Sequence, residues 1–209
     1  MADNVAAMVR LMLVTDDRLV AGRDLIELAR AAERGGVTSV QLRLKRASPR
    51  ELVAAARALV RALRVPVLVN DRPDVALAAG AAGVHLGPED MPLPLVRRVV
   101  PPGFVVGASA GSAAEAASAM AADYWGVGPW RSTGTKPDAG QALGAEGFGR
   151  IVALGEGKPC IAIGGVRPED VGVVLAEGGA GVAVVSGMLG EADVETAARR
   201  YLQQTSSRA

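Results

Sequence analysis

Short apolar runs alternate along this chain with longer stretches in which apolar residues recur at helical spacing. The runs at 10–15, 38–44, 67–69, 84–86, 104–109, 124–127, 160–163 and 182–185 read as buried strands bounded by turn residues. Helices are expected over 24–34, 48–63, 73–79, 93–100, 112–121, 146–154, 168–177 and 194–202. Leu25, Leu28, Ala29 and Ala32 give the first of these an inner face before Gly35-Gly36 stops it. Ser48-Pro49-Arg50-Glu51 and Ser112-Ala113-Ala114-Glu115 both read as capping boxes, in which serine and glutamate satisfy backbone N–H groups reciprocally. Pro73 and Pro168 stand at first helical positions, where a missing N–H costs nothing. Glycine-rich phrases at 35–36, 80–83 and 178–181 each turn a helix C-terminus directly into a strand. The longest connection, 128–144, follows the sixth strand.

Strands alternating with helices in this way form parallel βα units. Eight such units predict an α/β fold, a single (β/α)8 TIM barrel at the small end of its size range. The barrel is expected over 1–203, followed by a polar tail at 204–209. No fixed period is present, which disfavours a solenoid. An open doubly wound sheet is the alternative, but it wants a glycine-rich turn after the first strand, where this chain has Asp16-Asp17-Arg18.

Composition narrows the function classes. A net charge of +1 and only 3% aromatics argue against nucleic-acid binding, which needs basic surface or stacking platforms. No apolar run approaches the roughly 18 residues of a membrane span, and the first residues lack a signal-length apolar core. The single cysteine, Cys160, rules out an internal disulfide and suits a reducing compartment. It is expected to be packed as a small hydrophobe. A cytoplasmic protein with no nucleic-acid or membrane partner is the expectation, with a homodimer allowed.

The C-terminal ends of barrel strands form one face, and active sites lie there. The second strand offers Gln41, Arg43 and Lys45, spaced by two so that all three point to one side. The third strand gives Asn70 and Asp71, the fourth Asp90 and the fifth Ser109. Thr133, Thr135 and Lys136 follow the sixth, Gly164-Gly165 the seventh and Ser186-Gly187 the eighth. The last two groups occupy the usual barrel phosphate position. Neighbouring strands lie about 4.8 Å apart. Asp71 and Asp90 therefore either share one hard cation, such as Mg²⁺, or each faces the N-terminus of the helix that follows it. Charge favours the first reading. A pyrophosphate ester carries roughly −3, Mg²⁺ with two aspartates is neutral, and Arg43, Lys45 and Lys136 would balance the remainder. His85, the single histidine, has no nucleophile spaced for a triad, so a structural hydrogen-bonding role is expected. With no other histidine and no paired cysteine, zinc is disfavoured. Trp125 is expected to pack, while Trp130 is a candidate for the mouth of the barrel.

The segments QLRLK (41–45), NDR (70–72), GVHLGPED (83–90), VGAS (106–109), GPWRSTGTK (128–136), AIGGV (162–166) and GVAVVSG (181–187) together resemble the thiamine-phosphate synthase (thiamine-phosphate pyrophosphorylase) family, in order and across nearly the whole chain. The resemblance implies a TIM-barrel transferase that joins hydroxymethylpyrimidine diphosphate to a thiazole phosphate and releases pyrophosphate. It implies Mg²⁺ held by Asp71 and Asp90. Gln41, Leu42, Arg43, Leu44, Lys45, Asn70, Ser109 and Lys136 would hold the pyrimidine diphosphate. Thr133, Gly134 and Thr135, with Gly165, Val185 and Ser186, would hold the thiazole phosphate. Arg43, Lys45, Ser109 and Lys136 would be the catalytic groups. Pyrophosphate would leave first, and the thiazole nitrogen would capture the pyrimidine carbocation without a general base.

Two positions depart from the family. Gly111 stands where a histidine is frequent, and Arg131 where an aromatic is favoured, either contacting phosphate or facing solvent. Three rivals remain. A thiazole tautomerase on the same fold would use the histidine that Gly111 replaces and tends to lack the second acid, here Asp90. A non-catalytic sensor of thiamine phosphates would have lost the acids or the second-strand cations. An epimerase or aldolase barrel would want a base or a Schiff-base lysine inside a strand, and no strand interior contains one.

Overall fold

A computed structural model describes residues 2–132 and 140–205. Strands β1 (Leu11–Val14), β2 (Ser39–Leu42), β3 (Val67–Asn70), β4 (Gly83–Leu86), β5 (Val105–Ser109), β6 (Tyr124–Val127), β7 (Cys160–Ile163) and β8 (Gly181–Val184) form a closed barrel in chain order. All eight pairings are parallel, and β8 closes on β1 through Leu11↔Val182. This is the expected (β/α)8 TIM barrel. The helices are α1 (Ala2–Met8), α2 (Leu25–Arg34), α3 (Pro49–Ala62), α4 (Pro73–Ala79), α5 (Leu93–Val99), α6 (Ala113–Ser118), α7 (Gly144–Ala153), α8 (Val171–Ala176), α9 (Ser186–Leu189) and α10 (Val194–Thr205).

Alternation along each strand sorts the core into two parts. Leu11, Leu13, Val40, Leu42, Val67, Val69, Val84, Leu86, Trp125 and Val127 pack outward against the helices. Met12, Val14, Leu68, Tyr124, Ile161 and Ala183 fill the barrel interior, and α1 adds Val5 to that cluster. The interior is narrow, so large side chains sit against glycines. A Cβ at Gly107 would come within 2.2 Å of the Tyr124 ring. At Gly181 it would come within 2.2 Å of the Arg10 carbonyl oxygen. Cys160 is fully buried, and burial pushes its thiol up to about 12, which suits a packing role.

Several elements differ from expectation for identifiable reasons. α1 was not expected, because its helical state depends on Val5 and the following Val9 joining the interior cluster rather than on a local cap. α10 continues through Thr205, past the expected start of the tail, and the Thr205 carbonyl accepts from Arg10 Nη2 at 2.8 Å. The box at Ser48 forms: its Oγ accepts from Glu51 N, and Glu51 Oε2 accepts from Ser48 N at 2.8 Å. The box at Ser112 forms only by half. Ser112 Oγ accepts from Glu115 N, but the Glu115 carboxylate takes the N–H of Gly111 at 2.6 Å instead.

Ser48→Ala removes a complete box and is expected to lower unfolding free energy by about 1 kcal/mol, read from urea denaturation. A variant matching the parent would show that α3 is held by packing alone.

Candidate active site

The barrel register brings the acids of the third and fourth strand ends together. Asn70 pairs with His85 across β3 and β4, and the next residue, Asp71, donates its N–H to the His85 carbonyl at 2.8 Å. Asp71 has φ of 64°, a left-handed conformation that aspartate adopts more readily than most residues. That bend takes the chain out of the strand and leaves the Asp71 carboxylate on the rim, against two partners. Lys45 Nζ lies 3.2 Å from Asp71 Oδ2, and the Asp71 carboxyl neighbours that of Asp90. Asp90 is held from behind, its Oδ2 accepting from Gly87 N at 2.6 Å. Burial pushes the Asp90 carboxyl up, to about 6, and the hydrogen bond and charge of Asp71 add to the rise. Two carboxyls in contact resist ionising together, so a cation between them is the natural complement.

The loop after β2 differs from its expected form. The strand ends at Leu42, not 44, because side chains from the end of β1 take over its backbone groups. Thr15 Oγ1 accepts from Arg43 N at 2.8 Å, and the Asp17 carboxylate accepts from Lys45 N and Arg46 N at 2.8 and 3.2 Å. Gln41, Arg43 and Lys45 consequently lie in three different surroundings. Gln41 is buried inside the barrel. Arg43 pairs with Asp16 at 3.4 Å, both side chains largely covered. Lys45 alone of the three reaches Asp71, with 54% of its side chain exposed. The Leu42 side chain is fully buried on the outer face of the barrel and Leu44 packs against the same layer, so neither side chain lines the rim. In sequence, Thr15, Asp16 and Asp17 mark only the end of the first strand. The signal that marks them is an acidic pair one strand away from a basic one.

Ser109 ends β5 on the same face, its Oγ 3.3 Å from His85 Nε2. Gly165, after β7, has φ of 69°, and a Cβ there would meet Arg131 Cβ at 3.0 Å. Val185 follows β8 and packs at the edge of the interior cluster, and the exposed Ser186 opens α9. Thr133, Gly134, Thr135 and Lys136 lie outside the described residues. Arg131, with 41% of its side chain exposed, is held by an acid. It forms a two-pronged pair with Asp170, Nη1 to Oδ2 and Nη2 to Oδ1 at 2.6 Å. Burial pushes Asp170 up, but Arg131, the Arg167 N–H and Trp130 outweigh it and hold the carboxyl below its ordinary value. Trp130 is buried edge-on against Phe148, so it does not line the mouth. Arg131 thus ties the segment after β6 to the one after β7, a pairing across 39 residues with no local signature.

The chain matches the family model described as thiamine monophosphate synthase over residues 11–188, which spans all eight strands. It is 48% identical over 194 residues to a protein of Xanthobacter autotrophicus named thiamine-phosphate synthase, covering 90% of this chain and 92% of that one. A protein of the same name from Methanoculleus marisnigri is 46% identical over 194 residues, with the same coverage. Among solved structures, the thiamine phosphate pyrophosphorylase from Pyrococcus furiosus superposes with a TM-score of 0.86 at 35% identity, covering 96% of this chain and 97% of that one.

The carboxyl pair carries its own pH signature. The Asp90 proton leaves the unfolded chain near 3.8 and the folded chain near 6. Between those values the folded state holds more protons, so this group's contribution to stability falls as pH rises, and its full cost is present above pH 6. Asp90→Asn keeps an oxygen for the Gly87 N–H and removes the charge. Thermal melts of metal-free protein should show the variant more stable than the parent at pH 7.5, with the gap closing towards pH 4. A parent equal to the variant at both pH values would contradict the carboxyl pairing.

Proposed function

Because this chain belongs to the thiamine monophosphate synthase family, and is therefore a transferase of thiamine biosynthesis, we propose that it condenses hydroxymethylpyrimidine diphosphate with hydroxyethylthiazole phosphate and releases pyrophosphate. The observation that carries this reading is the contact of Asp71 with both Asp90 and Lys45 on one rim. With a dication on its carboxyls, such a cluster fits a condensed phosphate better than a neutral substrate. Asp71 and Asp90 would hold Mg²⁺. Two carboxylates are the usual protein share for this ion, with waters and substrate phosphates completing its shell. The fit is supported by the raised Asp90 carboxyl, whose protonation a dication would relieve. When bound, the ion supplies charge neutralisation to the departing diphosphate.

The chain's own groups supply the rest. Lys45 would lean from Asp71 onto a diphosphate oxygen, its exposed amine exchanging an aspartate for a phosphate partner. Ser109 offers a hydroxyl beside the pyrimidine, and the Gly164-Gly165 turn offers backbone N–H groups to the thiazole phosphate. The ester C–O bond breaks with its electron pair leaving on pyrophosphate, and the thiazole nitrogen lone pair forms the new C–N bond. No proton has to be removed from that nitrogen, so no general base is required. Arg43 is already neutralised by Asp16, so it acts chiefly by shaping the loop that carries Lys45. The tautomerase alternative loses ground at Gly111, where even a Cβ would lie 2.7 Å from the Gly128 carbonyl oxygen.

Incubation with both substrates and Mg²⁺ should yield thiamine phosphate and pyrophosphate in equal amounts, and chelation by EDTA should stop it. Absence of both products with intact protein would refute the reaction. Asp71→Ala and Asp90→Ala should each lower turnover roughly 10²-fold or more while the circular dichroism spectrum is preserved. Full turnover by either would remove the metal role.

A further inference from the structure

Beneath the rim, four polar side chains cross an interior that in such barrels is ordinarily filled by branched aliphatics. Tyr124 on β6 is fully buried, and its hydroxyl lies 3.0 Å from His85 Nδ1 on β4. The other ring nitrogen, Nε2, lies 3.3 Å from Ser109 Oγ at the end of β5. On the far side, the Gln41 side chain on β2 neighbours the Tyr124 hydroxyl, and its Nε2 approaches Met12 Sδ at 3.5 Å. Two glycines make room for the rings. A Cβ at Gly107 would lie 2.5 Å from the Tyr124 hydroxyl oxygen, and one at Gly126 would lie 3.0 Å from His85 Cε1. Strand glycine weakens a sheet, so the barrel gives up side-chain packing on two strands to keep these rings aligned.

We propose that Gln41, Tyr124 and His85 form a buried relay that sets the orientation of Ser109 and leaves its hydroxyl proton free to donate at the rim. The relay runs in the one direction that leaves the Ser109 proton outward. Gln41 donates an amide N–H to the Tyr124 oxygen. Burial keeps the phenol protonated, and that proton goes to His85 Nδ1. A neutral imidazole then carries its proton on Nε2 and donates it to Ser109 Oγ. Ser109 accepts on its inner side and donates on its outer side. Tyr124 and His85 are positioning residues; Ser109 is the one that would touch substrate. This deepens the synthase reading and rests on it for what Ser109 contacts.

The test has two arms. His85 is the single histidine, so ¹⁵N-histidine labelling reports its tautomer without ambiguity. The parent should show the Nε2–H form, and Tyr124→Phe should shift it towards a mixture. A parent in the Nδ1–H form, or a tautomer that Tyr124→Phe leaves unchanged, overturns the relay whatever the enzyme's activity. In kinetics, Tyr124→Phe should lower kcat about 10- to 100-fold with a smaller change in KM. His85→Gln, which retains a donor near Ser109, should lose less than His85→Leu. Introduced into Ser109→Ala, Tyr124→Phe should cost nothing further, because both act through one hydroxyl. Losses that add in the double variant indicate ordinary packing and overturn the proposal. A parent that makes no thiamine phosphate would sink the synthase reading, and the tautomer measurement would still decide the relay.

Discussion

Two carboxyls pressed together at the ends of β3 and β4 are the constraint from which the rest of this structure follows. Parallel pairing of Asn70 with His85 fixes where each strand stops, and the left-handed turn at Asp71 brings its side chain back against Asp90. Left alone, such a pair is costly, since burial and mutual repulsion both oppose ionisation. It persists because the Gly87 N–H and Lys45 partly offset that cost, and because the closed barrel leaves the strand ends nowhere else to go. A cation held between the two carboxyls, as proposed above, would remove that cost.

The barrel surrounding the pair is built for close approach. Its strands are four residues long except β5, and its interior alternates bulky side chains with glycine. That narrowness serves two ends. It lets Tyr124 and His85 span the interior to Ser109, and it brings the segments after β6 and β7 close enough for Arg131 to clasp Asp170. The clasp holds the glycine turn at 164–165 against the residues that follow Trp130, since Arg131 N donates to the Gly164 carbonyl at 2.8 Å. The rim is therefore assembled from short loops cross-braced to one another rather than from a single rigid element.

Much of this was legible in the sequence. Strand number and order follow from apolar runs ending in polar pairs, and the Asp71–Asp90 neighbourhood follows from parallel pairing alone. Ser48 and Glu51 announced their helix because a capping box is local chemistry. What escaped was long-range. Leu42 and Leu44 were grouped with Gln41 and Lys45 because they share a motif, yet alternation sends the Leu42 side chain to the opposite face. Arg43 reads as a free cation because its partner, Asp16, is 27 residues away in the connection after β1. The pairing of Arg131 with Asp170 is hidden for the same reason, since Asp170 lies beyond any local window. Tyr124 showed no chemical signal in sequence, since a buried tyrosine earns attention only when its neighbours are known. At Gly111 the sequence shows only a glycine where the family often has histidine, and the structure adds that the backbone of Gly128 leaves that position little room for a side chain.

The most direct test of the account is a crystal structure of the protein with Mg²⁺ and inorganic pyrophosphate. It should show one ion bridging the carboxylates of Asp71 and Asp90 at about 2.1 Å, with pyrophosphate oxygens completing its shell and Lys45 turned onto the phosphate. An ion bound elsewhere, or the two aspartates still joined to each other with pyrophosphate held at a different face, would contradict it.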